Sequence, residues 1–152
     1  MLKIYNIDII LIQFLRHKFQ GWQKIIYSKY DILIVDDSKF IIALLKDILK
    51  SKGFTCKAVE NTSKAIEELN HHTPKLVLLD VNFPDSNGYE FCKMLKSKNE
   101  FGNVLIYYFT GISEAEIAVK TLETQADGYL KKPFDFSDFN DILDQLEQNN
   151  AL

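Results

Sequence analysis

The chain has 152 residues, of which 47% are hydrophobic and 26% are charged, and its formal net charge is -3. This length suits one domain with a core of its own, and the composition excludes the disordered, collagen-like and disulfide-dense classes. The mild acidity also argues against nucleic-acid binding by this chain.

Residues 1–30 differ from the rest, because they carry five Lys or Arg against one Asp. Their spacing predicts an amphipathic helix that packs on the domain or forms a homodimer. A short strand pair is an alternative, because Gly21 and the isoleucines disfavour a helix. A second alternative is that the segment is a leader or a linker from an upstream domain. The apolar positions form two stripes: Ile4, Ile7, Leu11 and Phe14, then Ile12, Leu15, Phe19, Trp22 and Ile26.

The longest unbroken apolar run in this segment is Ile9 to Ile12. It is far too short for a membrane span, and no small-residue cleavage site follows it. We therefore expect a cytoplasmic protein without a membrane span. Cys56 and Cys92 lack metal-ligand spacing and are expected to be reduced and buried.

From Asp31 onward, short apolar runs alternate five times with amphipathic stretches. The predicted strands are Ile32 to Val35, Phe54 to Val59, Leu76 to Leu79, Val104 to Phe109, and Tyr129 with Leu130. Runs that are apolar throughout are typical of strands buried on both faces of a parallel sheet. Such alternation predicts a doubly wound α/β fold, a five-stranded parallel sheet with helices on both faces. We place this domain at residues 31–148, followed by a polar tail, 149–152.

Each strand is followed by a predicted helix. Gly53 is expected to end the first helix, Ser113 and Glu116 to form a capping box on the fourth, and Asp135 to cap the fifth. The predicted inward stripes are Ile41, Leu44, Leu45, Ile48 and Leu49; Ala65, Ile66 and Leu69; Phe91, Cys92 and Leu95; and Phe136, Phe139, Ile142, Leu143 and Leu146.

Polar residues follow four of these strands: Asp36 and Asp37, Asp80, Thr110, and Lys132. The carboxyl ends of parallel strands share one edge, where ligands bind in open α/β sheets. Clustered carboxylates repel one another unless a cation compensates, and oxygen ligands at a solvated edge favour Mg²⁺. Carboxylates, a hard cation, a lysine and a hydroxyl suit phosphoryl transfer, with Asp80 as the nucleophile.

The motifs ILIVDD, LVLLD-VNFPDSNG, YYFTG and GYLKKPF stand in the order found in the receiver domains of bacterial two-component response regulators, which residues 31–148 resemble. The resemblance implies that Asp80 is the phosphoacceptor and that Mg²⁺ is held by Asp37 directly, by Asp36 through water and by the Asn82 carbonyl. It also implies that Thr110 and Lys132 hold the phosphoryl oxygens, that Tyr129 is a switch, and that the Lys132-Pro133 peptide is cis.

The resemblance further implies a histidine kinase or histidine phosphotransfer protein as phosphodonor. A downstream protein would bind helix 4, strand 5 and helix 5. Asn82 and Ile112 stand where family members tune hydrolysis of the acyl phosphate. On this interpretation the chain is a signalling module rather than an enzyme, and it is either a single-domain regulator or a piece of a larger one.

Two alternatives come from other functional classes. An aspartate-nucleophile phosphatase of the haloacid dehalogenase type needs a second aspartate two residues after the nucleophile, where this chain has Asn82. A flavodoxin-like nucleotide binder needs a phosphate-binding loop after the first strand, where Asp36 and Asp37 would repel phosphate. Lys131 is expected to be a solvated charge. The histidines, His17, His71 and His72, lack partners at ligand spacing and are expected at the surface.

Overall fold

The computed structural model describes residues 29–84 and 86–150, so nearly all of the predicted amino-terminal helix lies outside the described residues. In this part of the chain, five parallel strands form one sheet with the order β2-β1-β3-β4-β5. This confirms the doubly wound α/β prediction. The strands are β1 (Ile32–Val35), β2 (Cys56–Val59), β3 (Leu76–Leu79), β4 (Leu105–Thr110) and β5 (Gly128–Lys131).

Among the described residues, five α-helices connect or follow the strands, and a short 3₁₀ helix, Asn99–Phe101, lies between α3 and β4. Side chains that accept a hydrogen bond from a first-turn amide begin the first four helices, and these caps are Ser38, Asn61, Asn87 and Ser113. Gly53 follows α1 with φ +83°, as expected of a helix stop. The helices are α1 (Lys39–Ser51), α2 (Thr62–Leu69), α3 (Gly88–Lys96), α4 (Glu114–Thr124) and α5 (Phe136–Asn150).

The sheet separates two apolar cores. Ile32 and Ile34 pack with α1 and α5 on one face, while Leu33 and Val35 pack with α2, α3 and α4 on the other. This alternation follows from the period of two along a strand. Because helices run back against the strands in such a fold, α1 and α5 both begin at the carboxyl edge of the sheet.

Two predicted core residues lie at the surface instead. Ile66 is 37% exposed because Ala65 and Leu69, one turn apart, supply the buried side of the short helix α2. Phe136 is 59% exposed because it is the first residue of α5, and burial in this helix begins at Phe139. The strands β2 and β4 also begin two residues and one residue later than predicted.

Asp31 joins three segments at the amino edge of the sheet. Its carboxylate lies 2.8 Å from the Lys75 Nζ and accepts hydrogen bonds from the Thr55 amide at 3.1 Å and the Thr55 hydroxyl at 2.7 Å. Partial burial raises the pKa of the Asp31 carboxyl, but the hydrogen bonds from Lys75 and Thr55 outweigh it and lower the pKa from 3.8 to about 2. Ionised Asp31 therefore stabilises the folded state.

Asp31→Asn is expected to lower the free energy of unfolding by about 1 to 2 kcal/mol at neutral pH. The folded-state pKa is depressed, so this contribution is present above 3.8 and is lost as the pH falls towards about 2. Urea unfolding at neutral pH and near pH 2 measures the difference. Glu90→Gln, which removes an exposed ion pair with Lys93, is the control and should change stability little. An Asp31→Asn effect independent of pH would contradict the assignment.

Candidate functional site

Three carboxylates meet at the carboxyl edge of the sheet. Asp36 and Asp37 follow β1, and Asp80 follows the neighbouring strand β3. Oxygens of the three carboxylates lie within 4.8 Å of one another. Asp36 is 1% exposed and Asp80 7%, whereas Asp37 is exposed to solvent. The structure thus brings together the acidic residues that the sequence predicted to share a site.

Lys132 connects two of these carboxylates. Its Nζ lies 2.6 Å from the Asp36 Oδ2 and 3.0 Å from the Asp80 Oδ2. The same ammonium lies 4.9 Å from the centre of the Phe109 ring, a distance at which a cation is attracted to an aromatic face. The peptide between Lys132 and Pro133 is cis, as predicted. The Lys132 ammonium is therefore held by its contacts with the two carboxylates and with the Phe109 ring.

Backbone amides fix the other carboxylate oxygens. The Asp80 Oδ1 accepts hydrogen bonds from the Val81 amide at 2.7 Å and the Asn82 amide at 3.2 Å. The Asp36 Oδ1 accepts one from the Ser38 amide at 2.8 Å. Both buried carboxylates thus present one oxygen to the backbone and the other to Lys132.

The surroundings of Asp36 act on its carboxyl in opposite directions. Burial raises the pKa of its carboxyl, the hydrogen bonds from Lys132 and Ser38 oppose that rise, and the nearby Asp80 carboxylate adds to it. Within the described part of the chain, Lys132 is the ammonium that forms ion pairs with this cluster. Three carboxylates and one ammonium leave excess negative charge, which suits a hard divalent cation with oxygen ligands.

Thr110 ends β4, which lies beside β3, and Lys131 ends β5, the edge strand that follows β4 in the sheet. Thr110 is fully buried, and its Oγ1 accepts a hydrogen bond from the Ile112 amide at 3.3 Å. Among the described residues, its hydroxyl proton has no acceptor. The prediction of a solvated Lys131 is wrong, because the residue is half-buried and its ammonium donates to the Ile112 carbonyl. The long side chain reaches back over the β4–α4 loop.

Tyr129 is half-buried on β5, against the core on the α2, α3 and α4 side of the sheet. Its hydroxyl donates to the Glu114 Oε1 at 3.4 Å, a long hydrogen bond at the first residue of α4. The contact lies beside the loop that carries Ile112. The predicted role of Tyr129 as a switch stays a prediction.

The loop after Asp80 is packed against the backbone of Asp80 itself. Asn82 pairs with Asn87 in an antiparallel bridge, and Asn87 caps α3 by accepting from the Tyr89 amide at 2.9 Å. A Cβ added to Gly88 would lie 2.7 Å from the Asp80 carbonyl oxygen. The sequence predicted a turn here but not the close approach of Gly88 to the Asp80 backbone. The Asn87-Gly88 pair at the start of a helix could have indicated it.

The prediction of surface histidines holds for His71, which is exposed, and is wrong for His72. The half-buried His72 ring lies 4.6 Å from the Tyr30 ring, with its Nε2 2.7 Å from the Tyr30 carbonyl oxygen. No pattern in the sequence indicates that His72 contacts Tyr30 just before β1. His17 lies outside the described residues. Both cysteines are free thiols, with Cys92 buried as predicted and Cys56 half-buried.

A buried polar network also went unpredicted. The Tyr108 hydroxyl donates to the Thr124 Oγ1 at 2.7 Å, and that Oγ1 donates to the Lys120 carbonyl at 2.7 Å. The Tyr89 ring meets the Tyr108 ring edge to face at 5.4 Å, and the Lys120 ammonium lies 5.7 Å from the Tyr89 ring centre. The network joins the carboxyl end of α4 to β4, two residues before Thr110.

The sequence profile of the response regulator receiver domain matches residues 32–144. The chain belongs to this family. It is 35% identical over 103 residues to the phosphate regulon transcriptional regulatory protein PhoB of Escherichia coli (strain K12), covering 68% of this chain and 45% of that regulator. It is 32% identical over 103 residues to the chemotaxis protein CheY of Halobacterium salinarum, covering 68% of this chain and 84% of that protein. The chain thus spans less than half the length of the PhoB relatives.

A solved structure of a receiver domain agrees with this assignment. The signal receiver domain of a signal transduction histidine kinase from Syntrophus aciditrophicus superposes with a TM-score of 0.72 at 29% identity, over 79% of this chain and 91% of that one. Receiver domains are signalling domains of two-component systems, which pair with histidine kinases and act on downstream effectors. The assignment agrees with the resemblance seen in the sequence and not with the phosphatase or nucleotide-binding alternatives. Along the described residues, no helix has the length and apolar character that crossing a membrane requires.

Proposed function

We propose that this receiver domain accepts a phosphoryl group on Asp80 from a histidine kinase or a histidine phosphotransfer protein, and that phosphorylation changes a surface that binds a downstream protein. The observation that supports this most directly is Lys132, whose ammonium bridges the Asp36 and Asp80 carboxylates at 2.6 and 3.0 Å. Phosphoryl transfer depends on positioning and on neutralising charge at the phosphoryl oxygens. An acceptor carboxylate beside a fixed ammonium supplies both.

The acidic cluster fits Mg²⁺. Asp36, Asp37, Asp80 and the backbone carbonyl of Asn82 would hold the ion, with Asp36 acting through water. In favour of this set, three carboxylates lie within 4.8 Å of one another, and exposed Asp37 leaves the cluster open to solvent. When bound, Mg²⁺ neutralises the charge that builds up on the phosphoryl oxygens.

Asp80 would attack through its Oδ2. Two backbone amides occupy its Oδ1, whereas its Oδ2 contacts the Lys132 ammonium. As the bond from Oδ2 to phosphorus forms, the bond from phosphorus to the donor imidazole nitrogen breaks, and its electron pair stays on that nitrogen. Lys132 and the Thr110 hydroxyl, which has a proton to donate, would hold the phosphoryl oxygens. The product is an acyl phosphate on Asp80.

Thr110 would transmit the effect of phosphorylation from Asp80 to α4. A hydrogen bond from its hydroxyl to a phosphoryl oxygen pulls Thr110 towards Asp80 and disturbs its contact with the Ile112 amide, two residues before α4. The long hydrogen bond from Tyr129 to Glu114 is readily exchanged as α4 shifts. The downstream protein would bind the surface of α4, β5 and α5, where these changes converge.

The test is phosphorylation with a small-molecule phosphodonor, such as acetyl phosphate or phosphoramidate, followed by intact mass spectrometry. Addition of a single phosphoryl group, dependent on Mg²⁺ and prevented by a chelator, is the expected result. An unchanged mass with both donors and with histidine kinases would contradict the proposal.

Asp37→Ala is expected to weaken Mg²⁺ binding by at least about tenfold, because it removes the exposed ligand of the cluster while leaving the buried pair with Lys132 intact. Isothermal titration calorimetry with Mg²⁺ measures the change. Asp47→Ala, on the exposed side of α1, is the control and should leave the affinity as it is. Equal affinities in Asp37→Ala and the unmodified protein would remove Asp37 from the site.

Ile112→Glu is expected to speed loss of the phosphoryl group about tenfold, because a carboxylate there can orient water towards the acyl phosphate and isoleucine cannot. The half-buried Ile112 side chain packs on the core, and its amide reaches Thr110 at 3.3 Å. A phosphate-release time course measures the rate, with Ile112→Leu as the apolar control. Similar decay in the Glu and Leu variants would show that Ile112 does not shield the site, and unchanged Mg²⁺ affinity would separate this effect from metal loss.

A further inference from the structure

Strand β2 is an open edge of the sheet in the part of the chain that the structure describes, where it pairs with β1 on one side. The Asp36 amide donates to the Val59 carbonyl at 3.1 Å, so the backbone groups of Val59 face β1. Because these groups alternate in direction along a strand, the amides and carbonyls of Cys56 and Ala58 face away from the sheet. An unpaired edge of this kind can accept one more strand.

The outer edge of β2 forms the floor of a groove between α1 and α2. The groove has a volume of about 620 Å³, and its apolar lining includes Ile42 and Ala43 of α1 and Ala58 and Val59 of β2. Helices α1 and α2 pack on opposite faces of the sheet. A strand bound in the groove would therefore direct its side chains alternately towards α1 and towards α2.

The α1 wall of this groove is positively charged. Its charged residues are Lys39 and Lys46, which are exposed and form no ion pair with any residue in 29–84 or 86–150. The surrounding domain is acidic: the chain has a net charge of -3 and residues 1–30 carry +4, so residues 31–152 carry -7. The α1 wall is thus a positive patch on an acidic domain, and it suits a ligand with acidic side chains.

The ion pairs of the groove lie on its α2 side and leave the edge of β2 open. A lysine on an edge strand can block further pairing, and Lys57 stands within β2. Its ammonium, however, lies 3.3 Å from the Glu68 carboxylate on α2, which directs the side chain over the face of the sheet and not across its edge. Lys64 and Glu60 pair at 2.9 Å. The groove as a whole is lined by four lysines and three glutamates.

We propose that this groove binds an extended acidic segment of a partner protein, which adds to β2 as a further strand. Hydrogen bonds to the outward backbone groups of Cys56 and Ala58 hold the segment, and acidic side chains at alternate positions face Lys39 and Lys46. These lysines are about 10.5 Å apart along α1, and alternate residues of a strand are about 6.7 Å apart, so flexible lysine side chains can reach two such acids. The inference depends on neither Asp80 nor Mg²⁺, so it and the proposed function can fail separately.

Backbone amide exchange, followed by nuclear magnetic resonance on the full chain, tests strand addition. The probe is a short peptide with blocked ends in which Glu and Val alternate. At saturation it is expected to slow exchange of the Cys56 and Ala58 amides at least about tenfold, while the Lys57 and Val59 amides, which already face β1, change little. Unchanged exchange at Cys56 and Ala58 would overturn the proposal. Protection of both amides before peptide is added would also overturn it, because another segment or a second copy would then already cover the edge.

Methylated peptides distinguish strand addition from binding by charge alone. Methylating the backbone nitrogens of either the Glu or the Val residues gives two peptides, and in one of them the methyl groups face β2. That peptide is expected to bind at least about tenfold more weakly than the other, because it cannot donate to the carbonyls of the edge. Equal affinities of the two methylated peptides, measured by fluorescence anisotropy, would overturn strand addition.

Charge reversal tests the α1 wall. Lys39→Glu with Lys46→Glu is expected to weaken binding of the Glu peptide at least about tenfold and to favour a peptide in which Lys replaces Glu. Lys50→Glu with Lys93→Glu, on exposed residues of α1 and α3 outside the groove, is the matched control and should leave the affinity unchanged. Equal affinity in the two double variants would overturn the proposal.

Discussion

Substituting Asp80→Asn is expected to abolish phosphorylation by small-molecule donors, with a loss of at least about a thousandfold in rate. The amide has nearly the volume of the carboxylate but cannot attack phosphorus from the position that the Asp80 Oδ2 occupies, 3.0 Å from the Lys132 Nζ. Removing one of three clustered negative charges also relieves repulsion. The variant should therefore remain folded, with stability equal to or above that of the unmodified protein.

Intact mass spectrometry after incubation with acetyl phosphate measures the loss, and urea unfolding checks the fold. Asp47→Asn on the exposed side of α1 is the matched control and should be phosphorylated normally. Phosphorylation of Asp80→Asn at an unchanged rate would rule out Asp80 as the acceptor. Peptide mapping would then show whether Asp36 or Asp37 takes its place.

Gly88→Ala is expected to lower the free energy of unfolding by about 2 to 3 kcal/mol and to slow phosphorylation. The new Cβ would lie 2.7 Å from the Asp80 carbonyl oxygen and 2.8 Å from the Val81 Cα, and both are backbone atoms that cannot turn aside. The structure can relieve this overlap only by moving α3 or the end of β3. Either movement displaces the Asp80 carboxylate from Lys132.

Gly111→Ala is the matched control for stability, because a Cβ at that position meets nothing within 4 Å. Urea unfolding of the two variants gives the difference in stability, and the rate of phosphorylation by acetyl phosphate gives the effect on the site. If Gly88→Ala is as stable as Gly111→Ala, α3 adjusts freely and does not fix the position of Asp80.

The sequence was most informative where one physical rule determined the outcome. Four apolar residues in a row predicted strands such as β1 and β3, which are buried on both faces. Because parallel strands end at one edge, the polar residue that follows each strand could be assigned to a shared site before any distance was known. The contacts of Lys132 with Asp36 and Asp80 confirm that expectation. Their roles in binding and transfer stay predictions.

The predictions failed where the result depended on neighbours distant in sequence. Helical periodicity placed Ile66 and Phe136 inside, but it does not show how far each helix extends over the sheet. The hydrogen bonds of Lys131 to the Ile112 carbonyl and of His72 to Tyr30 depend on where two loops pass. A flexible lysine and a lone histidine have no periodic pattern that would reveal such contacts.

The hydrogen bonds at the two ends of α4 differ in a way that bears on motion. At the carboxyl end, two hydrogen bonds of 2.7 Å, one buried and one partly buried, join the Tyr108 hydroxyl, Thr124 and the helix backbone. At the amino end, the Ser113 cap and the bond from Tyr129 to Glu114 are each 3.4 Å long and exposed. Separating the amino end of α4 from the sheet should therefore require less free energy than separating the carboxyl end, so we expect α4 to move about a pivot near Thr124.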